Sequence, residues 1–232
     1  MSQSLRISEI FSSIQGEGIW MGIPSTFVRA SGCNLRCVWC DTPYASWSPE
    51  GPVVELPSIV EEVERFANRH VVLTGGEPMI FDAIEPLATA LEALGHLITI
   101  ETAGTTYRKL PCHLMSISPK LANSTPPESS GWAKRHDATR INLESLGALI
   151  EGYNCQLKFV VNPEIEGDLV EIDQLLQELP PIEPDRILLM AEGVDPEVQR
   201  TRQKLLVDIC IERGWRLAPR LHIDLFGNTR GT

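Results

Sequence analysis

Short β-branched runs alternate with longer amphipathic stretches along most of this chain. Seven segments read as strands: STFVRA (25–30), VVLT (71–74), LITIE (97–101), LMSIS (114–118), QLKFVV (156–161), RILLM (186–190) and WRLAPRL (215–221). Each is a brief apolar run bounded by turn residues. Between them lie helical patterns. LPSIVEEVERFANR (56–69) places Ile59, Val60, Val63, Phe66 and Ala67 along one face, and FDAIEPLATALEALG (81–95) stops at Gly95, a C-cap residue. DLVEIDQLLQELPP (168–181) stops at paired prolines, and DPEVQRTRQKLLVDICIERG (195–214) opens with Asp195 as cap and Pro196 in its first turn.

Strands alternating with helices predict parallel β-α units with ligands gathered at the carboxyl ends of the strands. About six to seven strands are too few for a complete eightfold barrel. The expected fold is therefore α/β, a partial, open β/α barrel of mostly parallel strands, with a doubly wound sheet as the alternative. A single domain over residues 1–232 is expected. The stretch 118–140, SPKLANSTPPESSGWAKRHDATR, is polar and rich in Pro and Ser. It reads as a long surface loop, either a lid or a plain insertion.

Composition narrows the class only a little. The net charge of −11 repels phosphate backbones and argues against nucleic acid as a partner. The longest apolar runs, VVL at 71–73 and ILLM at 187–190, are far too short to cross a bilayer, and MSQSLRISEIF has no apolar signal core. A cytoplasmic protein with no membrane partner is expected. Of six cysteines, Cys112, Cys155 and Cys210 sit among apolar neighbours as buried free thiols.

The other three, Cys33, Cys37 and Cys40, form a C-x3-C-x2-C pattern within ASGCNLRCVWCDTPYA. Structural zinc requires four ligands, and no further cysteine follows before Cys112. A redox dithiol needs two sulfurs and leaves the third unexplained, and a buried apolar cluster sits badly with the interleaved Asn34, Arg36 and Asp41. Three thiolates on a four-iron cluster make better sense, because they leave one iron open to a small molecule.

This pattern, with Trp39 before the last cysteine, resembles the signature of the radical S-adenosylmethionine (SAM) superfamily. The resemblance implies a 4Fe-4S cluster on Cys33, Cys37 and Cys40 whose open iron is chelated by SAM, with electron transfer releasing a 5′-deoxyadenosyl radical. It implies further cofactor contacts at Trp39, at Gly75, Gly76, Glu77 and Pro78 of VVLTGGEP, and at Gly104 of IETAGT. Ser118, Pro119 and Lys120 of SISPK would meet the carboxylate of SAM, and Met190, Ala191, Glu192 and Gly193 of LLMAEG its adenosine. These segments follow successive strand ends, as one rim around a shared ligand requires.

FSSIQGEG (11–18) ahead of the cluster narrows the resemblance to the 7-carboxy-7-deazaguanine synthases. That family contracts the ring of 6-carboxy-5,6,7,8-tetrahydropterin, with loss of ammonia, on the way to 7-deazapurines such as queuosine. The resemblance implies substrate contacts at Ile14, Gln15, Gly16, Glu17 and Thr102, and a bidentate fork from Arg29 to the substrate carboxylate. Thr42 would hold Mg2+ together with that carboxylate and waters, one hydroxyl being chemically adequate for this ion. No acid or base is certain; Glu17, Lys120 and His222 are the candidates. An electron donor such as flavodoxin or ferredoxin and a homodimer are implied as partners. The rival readings are an activating enzyme that plants a glycyl radical on a protein, and a non-enzymatic iron–sulfur carrier.

Overall fold

The computed structural model describes residues 3–164 and 167–232. Its strands are β1 (Ser4–Ile14), β2 (Pro24–Ala30), β3 (Val53–Glu55), β4 (His70–Gly75), β5 (Leu97–Thr102), β6 (Leu114–Ile117), β7 (Cys155–Val161), β8 (Ile187–Ala191) and β9 (Arg216–Leu217). The α-helices are α1 (Leu56–Glu64), α2 (Ile84–Ala93), α3 (Ala133–Arg140), α4 (Leu143–Gly152), α5 (Asp168–Glu178), α6 (Pro196–Arg213) and α7 (Leu221–Phe226). All strands join one sheet in the order β3-β1-β2-β4-β5-β6-β7-β8-β9. From β2 through β4 to β9 each strand lies parallel to the next in chain order. That sequential order is the open β/α barrel, since a doubly wound sheet would reverse direction at a switch point.

The seven expected strands all form, though WRLAPRL is mostly not extended: β9 holds two residues, and Leu221 already begins α7. The sheet gains two strands that the sequence reading missed. β1 pairs antiparallel with both β2 and β3 and extends the sheet beyond its parallel part. The first helix ends at Glu64 rather than 69, because Ala67 takes a left-handed backbone (φ 53°) and turns the chain toward β4. At α2 the expected stop holds, with Gly95 in positive φ (89°) and its N–H on the Glu92 carbonyl. Asp195 caps α6 as its sequence position suggests, its carboxylate accepting from the backbone N–H of Glu197 (2.9 Å) and Val198 (3.0 Å).

The expected loop at 118–140 is only partly a loop, since its last eight residues are α3. Nor does any residue from 121 to 140 line the cavity inside the barrel. His136 of α3 is fully buried behind the cysteine loop: Nδ1 accepts from the Arg36 backbone N–H (3.1 Å) and Nε2 donates to Ser124 Oγ (2.9 Å). Burial lowers its pKa, in keeping with the neutral ring that this pattern needs.

Alternation along the parallel strands divides the molecule into two environments. One set, including Val71, Leu73, Ile98, Ile100, Leu157 and Phe159, packs outward on Leu87, Leu91, Leu146, Ile172 and Leu206 of the helices. The other set faces into the barrel and is largely polar, with Arg29, Thr74, Glu101, Ser116 and Lys158 lining a cavity of about 300 Å³. A cavity of this size suits a small molecule. No helix among the described residues is long and apolar enough to cross a membrane.

Candidate active site

The loop after β2 carries Cys33, Cys37 and Cys40 onto one wall of the cavity, all three as free thiols. Arg36 stiffens this loop from behind, donating through Nη1 to the carbonyls of Cys33 (2.8 Å) and Leu35 (2.7 Å) while it stacks on Trp132. Trp47 Nε1 donates to the Cys37 carbonyl (3.0 Å), and Cys40 Sγ lies 3.1 Å from Ser46 Oγ. No three His, Cys, Asp or Glu side chains among the described residues converge as the ligands of one ion do. A four-iron cube is compatible with that spread, since each corner takes its own thiolate. Burial pushes the Cys33 thiol up to about 12 and that of Cys37 to about 11. Thiolates in this wall therefore need the compensating positive charge of a metal, and the donor set fits an iron–sulfur cluster.

Beside the loop, β4 ends at Gly75 and Gly76 follows it. A Cβ on Gly76 would lie 2.2 Å from the Gly32 carbonyl oxygen and 2.5 Å from that of Ala45, both in the cysteine loop. Lack of a side chain thus lets β4 and the cluster loop meet backbone to backbone, while both glycines still line the cavity. Glu77 turns the other way and is fully buried. Its carboxylate accepts from Thr102 Oγ1 (2.7 Å), the Ala103 N–H (2.7 Å) and the Met79 N–H (3.0 Å), locking the end of β4 to that of β5. Burial raises its pKa despite these donors.

Several expected cofactor residues consequently stand behind the wall. Glu77, Pro78, Gly104, Pro119 and Glu192 do not line the cavity. Gly104 sits in positive φ against Leu146, and Glu192 lies against Arg202. Their physical role is to shape turns whose neighbours face inward. Trp39, Thr42, Thr102, Ser118, Lys120, Met190, Ala191 and Gly193 do reach the cavity. Lys120 Nζ donates to Ser118 Oγ (2.8 Å) and lies 5.5 Å from the centre of the Trp39 ring, whose Nε1 is held by the Asn123 carbonyl (3.1 Å).

The remaining walls come from the hairpin after β1 and from the C-terminal segment. Ile14, Gln15, Gly16 and Glu17 all line the cavity. Gly16 is pressed against the His222 ring, and a Cβ there would fall 2.0 Å from Nδ1. Burial keeps His222 below its usual pKa. Glu17 gives one carboxylate oxygen to Lys158 and the other to Arg220 Nε (3.0 Å). Burial opposes its charge, yet these two cations hold it well below the usual carboxylate range. Arg220 also bonds Asp41, next to Cys40, and the Gly193 carbonyl (3.0 Å). One guanidinium thereby joins the hairpin, the cluster loop and the rim after β8.

Arg29 lines the cavity with its Nε on Glu9 Oε1 (2.6 Å). Among the described residues nothing takes its two terminal nitrogens. Glu9 also accepts from Tyr44 Oη (3.0 Å) and faces Arg230 Nε (3.4 Å). Arg230 lies on the Tyr44 ring and pairs with Glu50, so residues 228–232 form an outer wall. Sequence reading left the role of this tail open and assigned no site role to Asp41, Glu101, Lys158 or Arg220. For Glu101 and Lys158 a signal existed: polar residues alternate with apolar ones in LITIE and QLKFVV, which marks an inward polar face.

Comparison with known proteins bears on the same residues. The Radical SAM superfamily model matches residues 27–123. The chain is 44% identical to 7-carboxy-7-deazaguanine synthase of Halobacterium salinarum over 99% of its length and 93% of that protein. It is 43% identical to the enzyme of that name from Rhodopirellula baltica, over 99% of this chain and 89% of the other. A crystal structure of QueE from Escherichia coli superposes with a TM-score of 0.73 at 27% identity, covering 94% of this chain and 95% of that one.

Proposed function

The chain belongs to the 7-carboxy-7-deazaguanine synthases of the radical SAM superfamily, and from that membership we propose how its cavity is used. The reaction is the ring contraction of 6-carboxy-5,6,7,8-tetrahydropterin to 7-carboxy-7-deazaguanine with loss of ammonia, in 7-deazapurine biosynthesis. One observation carries the reading: three free cysteines, the Gln15–Glu17 hairpin and the open fork of Arg29 face a single cavity at the carboxyl ends of the strands.

Cys33, Cys37 and Cys40 would hold the 4Fe-4S cluster, and Gly75, Gly76, Ser118, Lys120, Met190, Ala191 and Gly193 would hold SAM. When bound, these groups supply a carbon radical that takes hydrogen from the substrate. The protein binds, orients and shields. Lys120 is a cation placed for the carboxylate of SAM, and Trp39 offers a fixed aromatic plane. Arg29, steadied at Nε by Glu9, offers its terminal nitrogens to the substrate carboxylate as a fork. Thr42, whose hydroxyl has only a 3.9 Å contact to Cys40 Sγ, is free to bind Mg2+ beside that carboxylate. The Ile14–Glu17 backbone and Thr102 border the pterin, while residues 228–232 limit access of water. An external one-electron donor such as flavodoxin or ferredoxin would supply the electron that the cluster needs, and the assembly would be a homodimer.

Anaerobic reconstitution followed by incubation with SAM, dithionite, Mg2+ and the carboxytetrahydropterin tests this. Ring-contracted product is expected; SAM cleavage without product, or a preparation that binds only zinc, would refute it.

A further inference from the structure

Three side-chain carboxylates line the cavity: Glu17, Asp41 and Glu101. Their partners differ. Both oxygens of Glu17 are taken by cations, Lys158 and Arg220, and Asp41 is paired with Arg220. Glu77, behind the wall, is fully buried and accepts from three protein donors. Glu101 alone is held by neutral groups. Its Oε1 accepts from Gln15 Nε2 (3.2 Å) and its Oε2 from Thr74 Oγ1 (2.8 Å). Lys158 is within electrostatic reach, but its ammonium donates to Glu17.

A carboxylate offers roughly four lone-pair sites, so Glu101 retains one on each oxygen. A partly buried anion in this condition favours a ligand with two adjacent donors. The 2-amino group and N3–H of a pterin form such a pair, directed along one edge of the ring. Glu17, one of the expected substrate contacts, already has a cation on each oxygen. Gln15 acts here as a brace: its Oε1 accepts from the Glu17 N–H (3.2 Å) while its Nε2 fixes Glu101.

We infer that Glu101 reads the donor edge of the substrate and makes the enzyme specific for a 2-amino pterin. The inference rests on the functional reading above and adds the group that sets selectivity. A ring with oxygen in place of the amino group would set a carbonyl against the carboxylate.

The test compares binding of 6-carboxypterin and 6-carboxylumazine, its 2-oxo analogue, to anaerobically reconstituted holoenzyme with SAM and no reductant. Wild type is expected to prefer the pterin roughly 10- to 100-fold, the range for one charge-assisted hydrogen bond. Glu101→Gln, nearly isosteric, is expected to bring the two affinities within about threefold, because its amide cannot accept from both donors. Glu17→Gln is expected to weaken both ligands alike. Since both ligands are measured on the same protein, the ratio is independent of folded fraction. Should Glu101→Gln bind neither, Glu101→Asp must still prefer the pterin, and equal affinities there would overturn the inference. An unchanged ratio in Glu101→Gln, or a ratio lost only in Glu17→Gln, would overturn it too. Wild-type turnover of the carboxytetrahydropterin separates the two levels: product with an unchanged Glu101→Gln ratio defeats only this assignment, whereas no product defeats the functional reading.

Discussion

Replacing Arg220 by Met removes the guanidinium but keeps an apolar stem of similar reach. The guanidinium is about nine-tenths buried and meets Glu17 and the Gly193 carbonyl at 3.0 Å each, with Asp41 on its third face. Its net value is not the sum of the Coulomb attractions, since all three ions lost water on burial. Removing one partner is different, because it leaves the others uncompensated, and breaking a buried pair typically costs about 3–5 kcal/mol. Two features place this case at the lower end. Lys158 remains to hold Glu17, and the Asp41 side chain is 35% exposed and can rehydrate. We expect a loss of about 3 kcal/mol, equivalent to roughly 6–12 °C in melting temperature for a chain of this length. Anaerobic urea denaturation of the holoenzyme, followed by circular dichroism, measures it. Adding Asp41→Asn to Arg220→Met should recover part of the loss, since the second change removes the carboxylate left without a cation. The reasoning fails if Arg220→Met lies within about 1 kcal/mol of wild type, or if Asp41→Asn is as damaging in that background as alone.

Other outcomes follow from the same geometry. His70 bridges Ser25 Oγ (2.7 Å) and Thr99 Oγ1 (2.8 Å), and burial lowers its pKa from 6.5 to about 4. The unfolded chain therefore takes up this proton first, so stability is full above about pH 6.5 and falls as pH drops toward 4. His70 contributes about 2–3 kcal/mol to that fall, and His70→Gln should remove this part of the urea-midpoint profile. Gly76→Ala drives a methyl group into the Gly32 and Ala45 carbonyls; iron content per chain should drop by more than about half, with a loss of about 1–3 kcal/mol from overpacking. Deleting residues 228–232 removes an outer wall held by exposed ion pairs, so stability should change by less than about 1 kcal/mol while KM for the pterin rises about tenfold or more. An unchanged KM would show that the tail does not border the bound substrate.

The parallel part of the barrel was legible because its strands bury one face completely, and apolar periodicity reports burial of that kind directly. β1 escaped notice although Leu5 and Ile7 alternate with Arg6 and Ser8, because no residue from Ser8 to Ile14 is fully buried and the alternation is too short to mark a strand. α3 escaped for a different reason. AKRHDATR has no apolar face; its one buried side chain is His136, and its other ties are polar contacts of Asp137 with Thr125 and of Arg140 with Glu171 and the Lys120 carbonyl. Hydrophobic pattern cannot reveal a helix docked through hydrogen bonds to Arg36 and Ser124. Among site residues, the cysteines and glycines were readable because their types are tied to one chemistry or one backbone geometry. Glu77 shows the limit, because a motif places a residue next to a ligand without saying which way its side chain turns.

Electrostatics explains what brings the missed charges together. Lys158 and Arg220 lie 141 and 203 positions from Glu17, their shared partner. Lys158 is set apart only by the polar alternation of its strand, and Arg220 has no local sequence context that separates it from any surface cation in a chain of 20 Lys and Arg. What distinguishes them is the polar interior into which strand alternation and the C-terminal fold direct them. Inside it a charge survives only when an opposite charge arrives with it. Glu17, Asp41, Lys158 and Arg220 are therefore best understood as one unit, two anions against two cations, whose formation requires the hairpin, the cluster loop, β7 and the C-terminal segment to be in place together. A substrate cavity assembled this way is coupled to completion of the fold, so its geometry is set by the pairing of distant charges as much as by the cysteine motif that announces it.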